Sequence, residues 1–191
     1  MPSPFAHAAA GYFIYYNLRQ KLPDGRARLL TIPSQLLIIV GLSLLPNLDV
    51  LPGIITGDIG RFHNNFTHSL MVGVLVALAF AVLVSRAYGP PWKVWFGAAL
   101  ISYELHVIMD FFTAERGVML LWPLATARFS SPVKLFIGVQ WGNGWMSIWH
   151  LYTIFTEALF FLFILLIWKL WQRYPSKVPG IRNIPDRDPQ E

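Results

Sequence analysis

The chain has 191 residues, of which 55% are hydrophobic and only 13% are charged, and its mean hydropathy is +0.49. Soluble domains carry about 25% charged residues, so this composition excludes a water-soluble globular protein and indicates a membrane protein. The absence of cysteine excludes disulfides and thiolate metal sites. Any metal ion must therefore be held by His, Asp, Glu or water.

The formal net charge is +5, which by itself is also typical of nucleic-acid-binding proteins. Here the basic residues lie in loops and tails beside apolar segments, so contact with anionic lipid head groups explains them better. We expect the lipid bilayer as a partner and no nucleic acid.

The N-terminal half begins with an apolar segment, Phe5–Leu18, which is shorter than the roughly 20 residues that a span requires. It is predicted to be a packed or half-inserted helix, and a basic loop with a turn at Pro23–Gly25 follows it. In the next apolar region Ser34–Leu45 favours a helix, and Pro46 is expected to end or break it. Asp49 then lies at a break within the membrane, where a carboxylate is typical of a functional site.

Three further spans are predicted at 69–85, 94–112 and 144–170. A polar loop covers 57–67, and a long loop covers 113–141, in which Gly117–Leu124 is predicted to be re-entrant. The predicted fold class is therefore all-α, a polytopic membrane helical bundle with about four spanning helices and a short N-terminal helix. We expect one transmembrane domain over 1–172 and a polar, Pro-rich, disordered tail over 173–191.

The distribution of Lys and Arg predicts the orientation of the bundle. If the loop 19–28 is cytoplasmic, eleven basic residues lie inside and four lie outside, and the C-terminal tail is cytoplasmic. The outer four are Arg61, Arg116, Arg128 and Lys134. Whichever way the protein is inserted, all the candidate ligands described next lie at one side of the membrane.

Histidines and aspartates recur where these elements meet. His106 and Asp110 are four residues apart, so they share one face of a helix. His63 and His68 are five apart and would diverge by about 140° on one helix. They share a site only if His63 lies in the loop and His68 in the first helical turn, capped by Thr67 or Ser69. The predicted ligands of a divalent ion are His7, Asp49, His63, His68, His106 and Asp110.

Each of these features also has a simpler interpretation. The pair His106 and Asp110 is explained equally by mutual neutralisation inside a bundle. His63 and His68 are consistent with interfacial polar residues, and Asp49 with a helix cap. His150 and Glu157, seven apart on the last span, more simply make a polar contact inside the bundle than supply another ligand.

Four sequence pieces in order resemble the membrane-bound metal-dependent hydrolase family, the LexA-regulated inner-membrane hydrolases of bacteria. The pieces are LPNLD at 45–49, HNNFTHSL at 63–70, HVIMDFFT at 106–113 and GVMLLWP at 117–123. The resemblance covers about residues 5–125 and implies a multi-pass protein of the bacterial inner (plasma) membrane with hydrolase activity.

The chain departs from the family pattern at three places. Asn47 replaces an acid, Asn64–Asn65 replaces Arg-Gly, and Glu104 stands where small residues are usual.

The first functional hypothesis is a membrane-embedded hydrolase whose divalent ion, zinc first and manganese or iron as alternatives, activates water. Asp49 and Asp110 are its expected catalytic acids, either binding the ion or orienting a ligand histidine. Arg61, Arg128 and Lys134 are expected to bind a phosphate- or ester-bearing, lipid-like substrate, although loop solvation explains any one of them. The second hypothesis is a non-enzymatic ion or proton transporter or assembly factor that uses the intramembrane acids.

Overall fold

The computed structural model describes residues 1–19, 22, 32–88, 91–139 and 147–173. The predicted turn at Pro23–Gly25 and the tail beyond Arg173 lie outside these residues. In the described parts the regular structure is helical, and the remaining chain forms turns with two isolated β-bridges. The helices are α1 (Pro4–Leu18), α2 (Ile32–Leu44), α3 (Val50–Thr56), α4 (Ile59–Phe62), α5 (Leu70–Tyr88), α6 (Trp92–Phe111) and α7 (Ile148–Arg173).

Among the described residues, four helical segments are long and apolar enough to cross a membrane: Pro33–Thr56, Leu70–Ala87, Trp92–Phe111 and Ile148–Leu170. This confirms the predicted all-α membrane bundle with four spans. The N-terminal helix α1 has 15 residues, so it remains shorter than a full span. It packs along α2 and against α6 instead.

The first span is interrupted where the sequence predicts it. A 3-10 helix, Leu45–Asp49, separates α2 from α3. Pro46 has no backbone N–H and cannot continue the α-helical hydrogen bonding, so α2 ends just before it. The helix α3 in turn ends at Gly57, whose φ of 75° is the left-handed conformation typical of a helix C-terminus.

The centre of the bundle is the pair α5 and α6, which pack along each other. Small residues of α5 and the indole of Trp95 on α6 are fully buried between the helices. The last span, α7, lies at the periphery, since only 11% of its most apolar window is buried inside the protein. Most of its surface is therefore available to lipid.

Two predicted segments differ from the structure. The loop 57–67 contains the short helix α4 and part of a 3-10 turn, Phe66–His68. His68 therefore lies in this turn and not in the first turn of α5, where it was predicted. The helix α5 begins after His68, and the Ser69 hydroxyl caps it by accepting from the N–H of Val72.

The segment 113–139 forms no helix. It folds back on the bundle, where the backbone N–H of Leu70 donates to the carbonyl of Leu120 at 3.1 Å. The re-entrant segment at 117–124 stays a prediction.

Candidate metal centre

Four helical elements bring the predicted histidines and aspartates together at one end of the bundle. His7 comes from α1, Asp49 from the end of the 3-10 helix, and His68 from the 3-10 turn before α5. His106 and Asp110 come from the last two turns of α6. The exposed fraction is 0% for His7 and His68, 1% for His106, 2% for Asp110, 3% for His63 and 8% for Asp49. All six predicted ligands are thus buried in one region, which we call the His/Asp cluster.

The proton position on His106 follows from its backbone contact. Its Nδ1 lies 2.6 Å from the carbonyl oxygen of Ser43. A carbonyl only accepts, so Nδ1 carries the hydrogen and Nε2 of the neutral ring presents a lone pair. The carbonyl is free because Ser43 lies in the last turn of α2, where carbonyls lack intrahelical partners.

Asp49 fixes two further rings in the same way. Its Oδ1 accepts from Nδ1 of His63 at 2.8 Å, and its Oδ2 accepts from the Thr67 hydroxyl at 2.8 Å. Nδ1 of His68 lies 3.0 Å from that hydroxyl oxygen and 3.2 Å from Oδ2. Both histidines therefore donate from Nδ1 toward acceptors, which leaves each Nε2 free to act as a ligand.

Three Nε2 atoms converge on Asp110. That of His68 lies 2.9 Å from Oδ2, that of His106 lies 3.5 Å from Oδ2, and that of His7 lies 3.3 Å from Oδ1. Among the described residues neither oxygen of Asp110 and neither ring nitrogen of His7 has an aligned hydrogen-bond partner despite these distances. Such an arrangement is typical of ligands that point at a common centre.

The contact between His68 and His106 strengthens this interpretation. Their Nε2 atoms are 3.3 Å apart, and two lone pairs that face each other at this distance repel unless a proton or a metal cation lies between them. Two nitrogens that bind tetrahedral zinc at about 2.0–2.1 Å are roughly 3.3 Å apart. The donor set and its spacing therefore fit a divalent cation. The ring of His7 stacks on that of His106, with centroids 3.6 Å apart, and holds it in place.

The His/Asp cluster needs positive charge. Burial acts to lower the pKa of His68, but the neighbouring carboxylates of Asp110 and Asp49 act more strongly together and raise this pKa to about 9. His7 has a pKa below its usual range, because burial outweighs the effect of Asp110. A proton on His68 is thus the electrostatic equivalent of the cation that the ligand geometry fits.

The loop 113–139, which we call the covering loop, lies over Asn64 and Asn65, between His63 and His68. Arg128 donates to the carbonyls of Asn64 at 2.9 Å and Gly117 at 3.1 Å and also to the side chain of Asn65. Arg116 donates to the carbonyl of His63. These contacts hold Asn64 in a left-handed conformation, with φ of 60°, so His63 and His68 are presented from a fixed loop.

The three predicted substrate-binding residues differ in exposure and in their contacts. Arg61 and Lys134 are exposed, while Arg128 uses its guanidinium on backbone carbonyls, and burial together with Arg116 places its pKa below the usual range. Their role toward a substrate stays a prediction. Glu157, on α7, accepts hydrogen bonds from the backbone and side chain of Ser3, which fits the predicted bundle contact.

Two triplets place one ligand atom from each residue within 4.8 Å of the others: His7, His106 and Asp110, and Asp49, His63 and His68. Sequence reasoning found all six members but missed the groups that orient them, chiefly the carbonyl of Ser43 and the hydroxyl of Thr67. The signals in the sequence were the position of Ser43 three residues before Pro46, at a predicted helix end, and the position of Thr67 as a predicted cap beside His68.

Comparison with known proteins gives a family match. The model of the YdjM inner membrane protein family matches residues 1–176, which include the whole His/Asp cluster. No curated protein and no solved structure matches the chain significantly. The match supports the membrane part of the resemblance stated above and does not confirm its hydrolase part.

Proposed function

Because the chain belongs to the YdjM inner membrane protein family and buries a His/Asp cluster at one end of its spans, we propose that it is a membrane-embedded, metal-dependent hydrolase. The observation that carries this proposal is the convergence of three imidazole Nε2 atoms on the carboxylate of Asp110, at 2.9–3.5 Å. His7, His68, His106 and Asp110 would hold a divalent ion, with zinc the best match to these ligands and manganese or iron the alternatives.

Asp49 has a different role in this proposal. Its two oxygens are already used by His63 and Thr67, so it orients ligands and does not bind the ion itself. Such an outer hydrogen bond fixes the tautomer of a ligand histidine and raises its basicity. His63 has a buried Nε2 without a hydrogen-bond partner in the described part of the chain, and this nitrogen would serve as a proton acceptor.

A divalent ion in this position would lower the pKa of a bound water and polarise an ester or phosphoryl oxygen. The protein side chains exclude bulk water and fix the direction of the three imidazoles. Because the cluster lies at the ends of membrane spans, the substrate that we propose is a lipid-like molecule that carries a phosphate or an ester.

An ion or proton transporter or an assembly factor remains the second candidate. Glu104 on α6 favours it, since both carboxylate oxygens are buried without a hydrogen-bond partner in the described structure. A transport path needs a chain of such groups across the membrane. The six ligands instead cluster at one end, and Glu157 is bound to Ser3, so the hydrolase is better supported.

Metal analysis of the purified protein tests the proposal. We expect about one tightly bound divalent ion per chain, and His68→Ala or His106→Ala should weaken its binding by more than about 100-fold, beyond the effect of an orienting group. His150→Ala is the matched control, because His150 belongs to neither triplet of ligands.

If the protein binds no metal even after zinc or manganese is added, the hydrolase proposal fails. Proton or ion flux in liposomes that persists in His68→Ala would then favour the second candidate.

A further inference from the structure

A cavity of about 590 Å³ lies between α1, α6 and α7 and the segment around Phe136. Ligand pockets in proteins measure about 300–1,000 Å³. Apart from the thioether of Met109, every side chain that lines this cavity is aliphatic or aromatic, and none of the six predicted metal ligands lines it. It is therefore a separate site, and its occupant must be apolar.

The cavity is elongated along α7 and has two different ends. At one end Phe136 of the covering loop contacts Phe160, with ring centroids 4.9 Å apart. At the other end Trp168 contacts Phe13 and Tyr16 on α1. The distance from Phe160 to Trp168 along α7 is about 12 Å at 1.5 Å per residue.

The first end adjoins the His/Asp cluster. Ala10 and Met109 line the cavity and pack with Ala6 and Phe136 in one core cluster. Ala10 follows His7 by one helical turn, and Met109 directly precedes Asp110. One layer of side chains thus separates the apolar cavity from the proposed metal ligands.

The size of the cavity decides between apolar occupants. A helix with its side chains is about 10–12 Å wide and rises about 5.4 Å per turn, so one turn needs roughly 400–600 Å³. The cavity therefore accommodates about one turn and no spanning helix of a second copy. A thin, flexible hydrocarbon chain fits it, and membrane spans form two of its walls.

Charge at the same end indicates the head group. Lys134 is exposed and directly precedes Leu135, which lines the cavity. An ammonium group in this position attracts an anionic phosphate close to the membrane surface.

We propose that the cavity binds one acyl chain of an anionic glycerophospholipid, with the chain end at Trp168 and the phosphate at Lys134. This proposal names the class of substrate for the proposed hydrolase. Cleavage of the lipid rests on the proposed function, whereas binding of the lipid does not.

Photolabelling tests the binding. The probe is phosphatidylglycerol with a diazirine in one acyl chain, in phosphatidylcholine liposomes that contain the full-length protein. We expect labelled peptides from the inner faces of α1 and α7. Ile164→Trp projects a larger side chain into the cavity and should displace about two methylene groups of the acyl chain. We expect it to reduce the labelling about tenfold, equal to about 1.4 kcal/mol. Ile167→Trp, on the same helix but not lining the cavity, should leave it unchanged.

Several outcomes overturn the proposal. Equal labelling in the two tryptophan variants, or even labelling of all lipid-facing surfaces of the wild-type chain, means surrounding lipid only. The chain has no cysteine, so a disulfide-linked dimer of Ile164→Cys would show that a second copy occupies the cavity. If phosphatidylcholine labels the cavity as strongly as phosphatidylglycerol does, and Lys134→Gln leaves the labelling unchanged, the anionic head group is rejected.

The metal content of each sample separates the two proposals. Ile164→Trp should keep its metal while it loses the label, which also shows that the variant is folded. A wild-type chain that is labelled in the cavity but binds no metal would leave the acyl-chain site standing and reject the hydrolase.

Discussion

At the scale of single residues, the hydrogen bond at one nitrogen of an imidazole decides what the other nitrogen can do. The carbonyl of Ser43 at 2.6 Å fixes Nδ1 of His106 as a donor, and Asp49 at 2.8 Å does the same for His63. Neither Ser43 nor Asp49 needs to touch the proposed metal ion to influence its binding. The residue scale therefore separates groups that would bind the ion from groups that would orient them.

Asp49→Asn tests this separation. An amide replaces one acceptor oxygen by an NH₂ group that faces a donor, so His63 or Thr67 loses its partner. We expect zinc affinity to fall by about 10–100-fold, as is typical of an orienting residue. Asp110→Asn, in contrast, should abolish tight binding, since Asp110 is the point at which three Nε2 atoms meet.

Zinc dissociation constants measured by chelator competition compare the two variants with the wild-type chain. Asp58→Asn is the matched control, because Asp58 is exposed and only caps α4. Equal losses for Asp49→Asn and Asp110→Asn would contradict the division of roles and make Asp49 a direct ligand.

At the scale of elements, the site depends on how closely α1 approaches α2. Gly11 of α1 packs on Ser43 of α2, and a Cβ at Gly11 would lie 2.5 Å from the Ser43 Oγ and 3.0 Å from the Cα of Val40. The hydroxyl of Ser43 donates to the carbonyl of His7 at 2.9 Å, while its carbonyl accepts from His106. One residue of α2 thus positions ligands from both α1 and α6.

Gly11→Ala should therefore weaken both the fold and the metal site. The added methyl group meets backbone at Val40, which cannot rotate away, so we expect a loss of about 1–3 kcal/mol in the free energy of unfolding. Zinc affinity should fall with it, because the displaced α1 carries His7. Thermal unfolding in detergent and zinc titration measure the two effects.

Gly41→Ala is the control for this substitution. No heavy atom lies within 4 Å of a Cβ at Gly41, so the change should be neutral or stabilising by up to about 1 kcal/mol through helix propensity. A Gly11→Ala variant as stable as Gly41→Ala would show that the two helices tolerate a wider separation.

At the scale of the whole molecule, the fold gathers all six predicted ligands at one end of the bundle of four candidate spans. The bias of eleven basic residues against four predicts that this end is outside and that the C-terminal tail is cytoplasmic. The proposed reaction would then take place in the outer leaflet, where the covering loop 113–139 also lies.

Labelling of single cysteines tests the orientation, and the natural chain has none that would interfere. In spheroplasts a membrane-impermeant maleimide should react with Lys134→Cys, in the covering loop. It should react with Arg86→Cys, at the opposite end of α5, only after the membrane is disrupted. The reverse pattern would invert the topology and place the His/Asp cluster at the cytoplasmic surface.

Much of this architecture was predictable because lipid imposes a strong rule on sequence. Uninterrupted apolar runs must be helices in a bilayer, so the four spans and the break at Pro46 follow from composition and proline chemistry. Placing polar residues in lipid costs free energy, so His106, Asp110 and Asp49 were predicted to have a function. The helical period placed His106 and Asp110 on one face.

The sequence by itself determined that this is a helical membrane protein whose histidines and aspartates gather at one end. Tertiary structure alone decided which nitrogen of each ring is free, since that depends on the Ser43 carbonyl and on how α2 is rotated against α6. It likewise decided that Arg128 binds backbone carbonyls and that an apolar cavity lies beside the His/Asp cluster. Periodicity fixes the faces of one helix, whereas the neighbour of each face depends on how all the helices pack together.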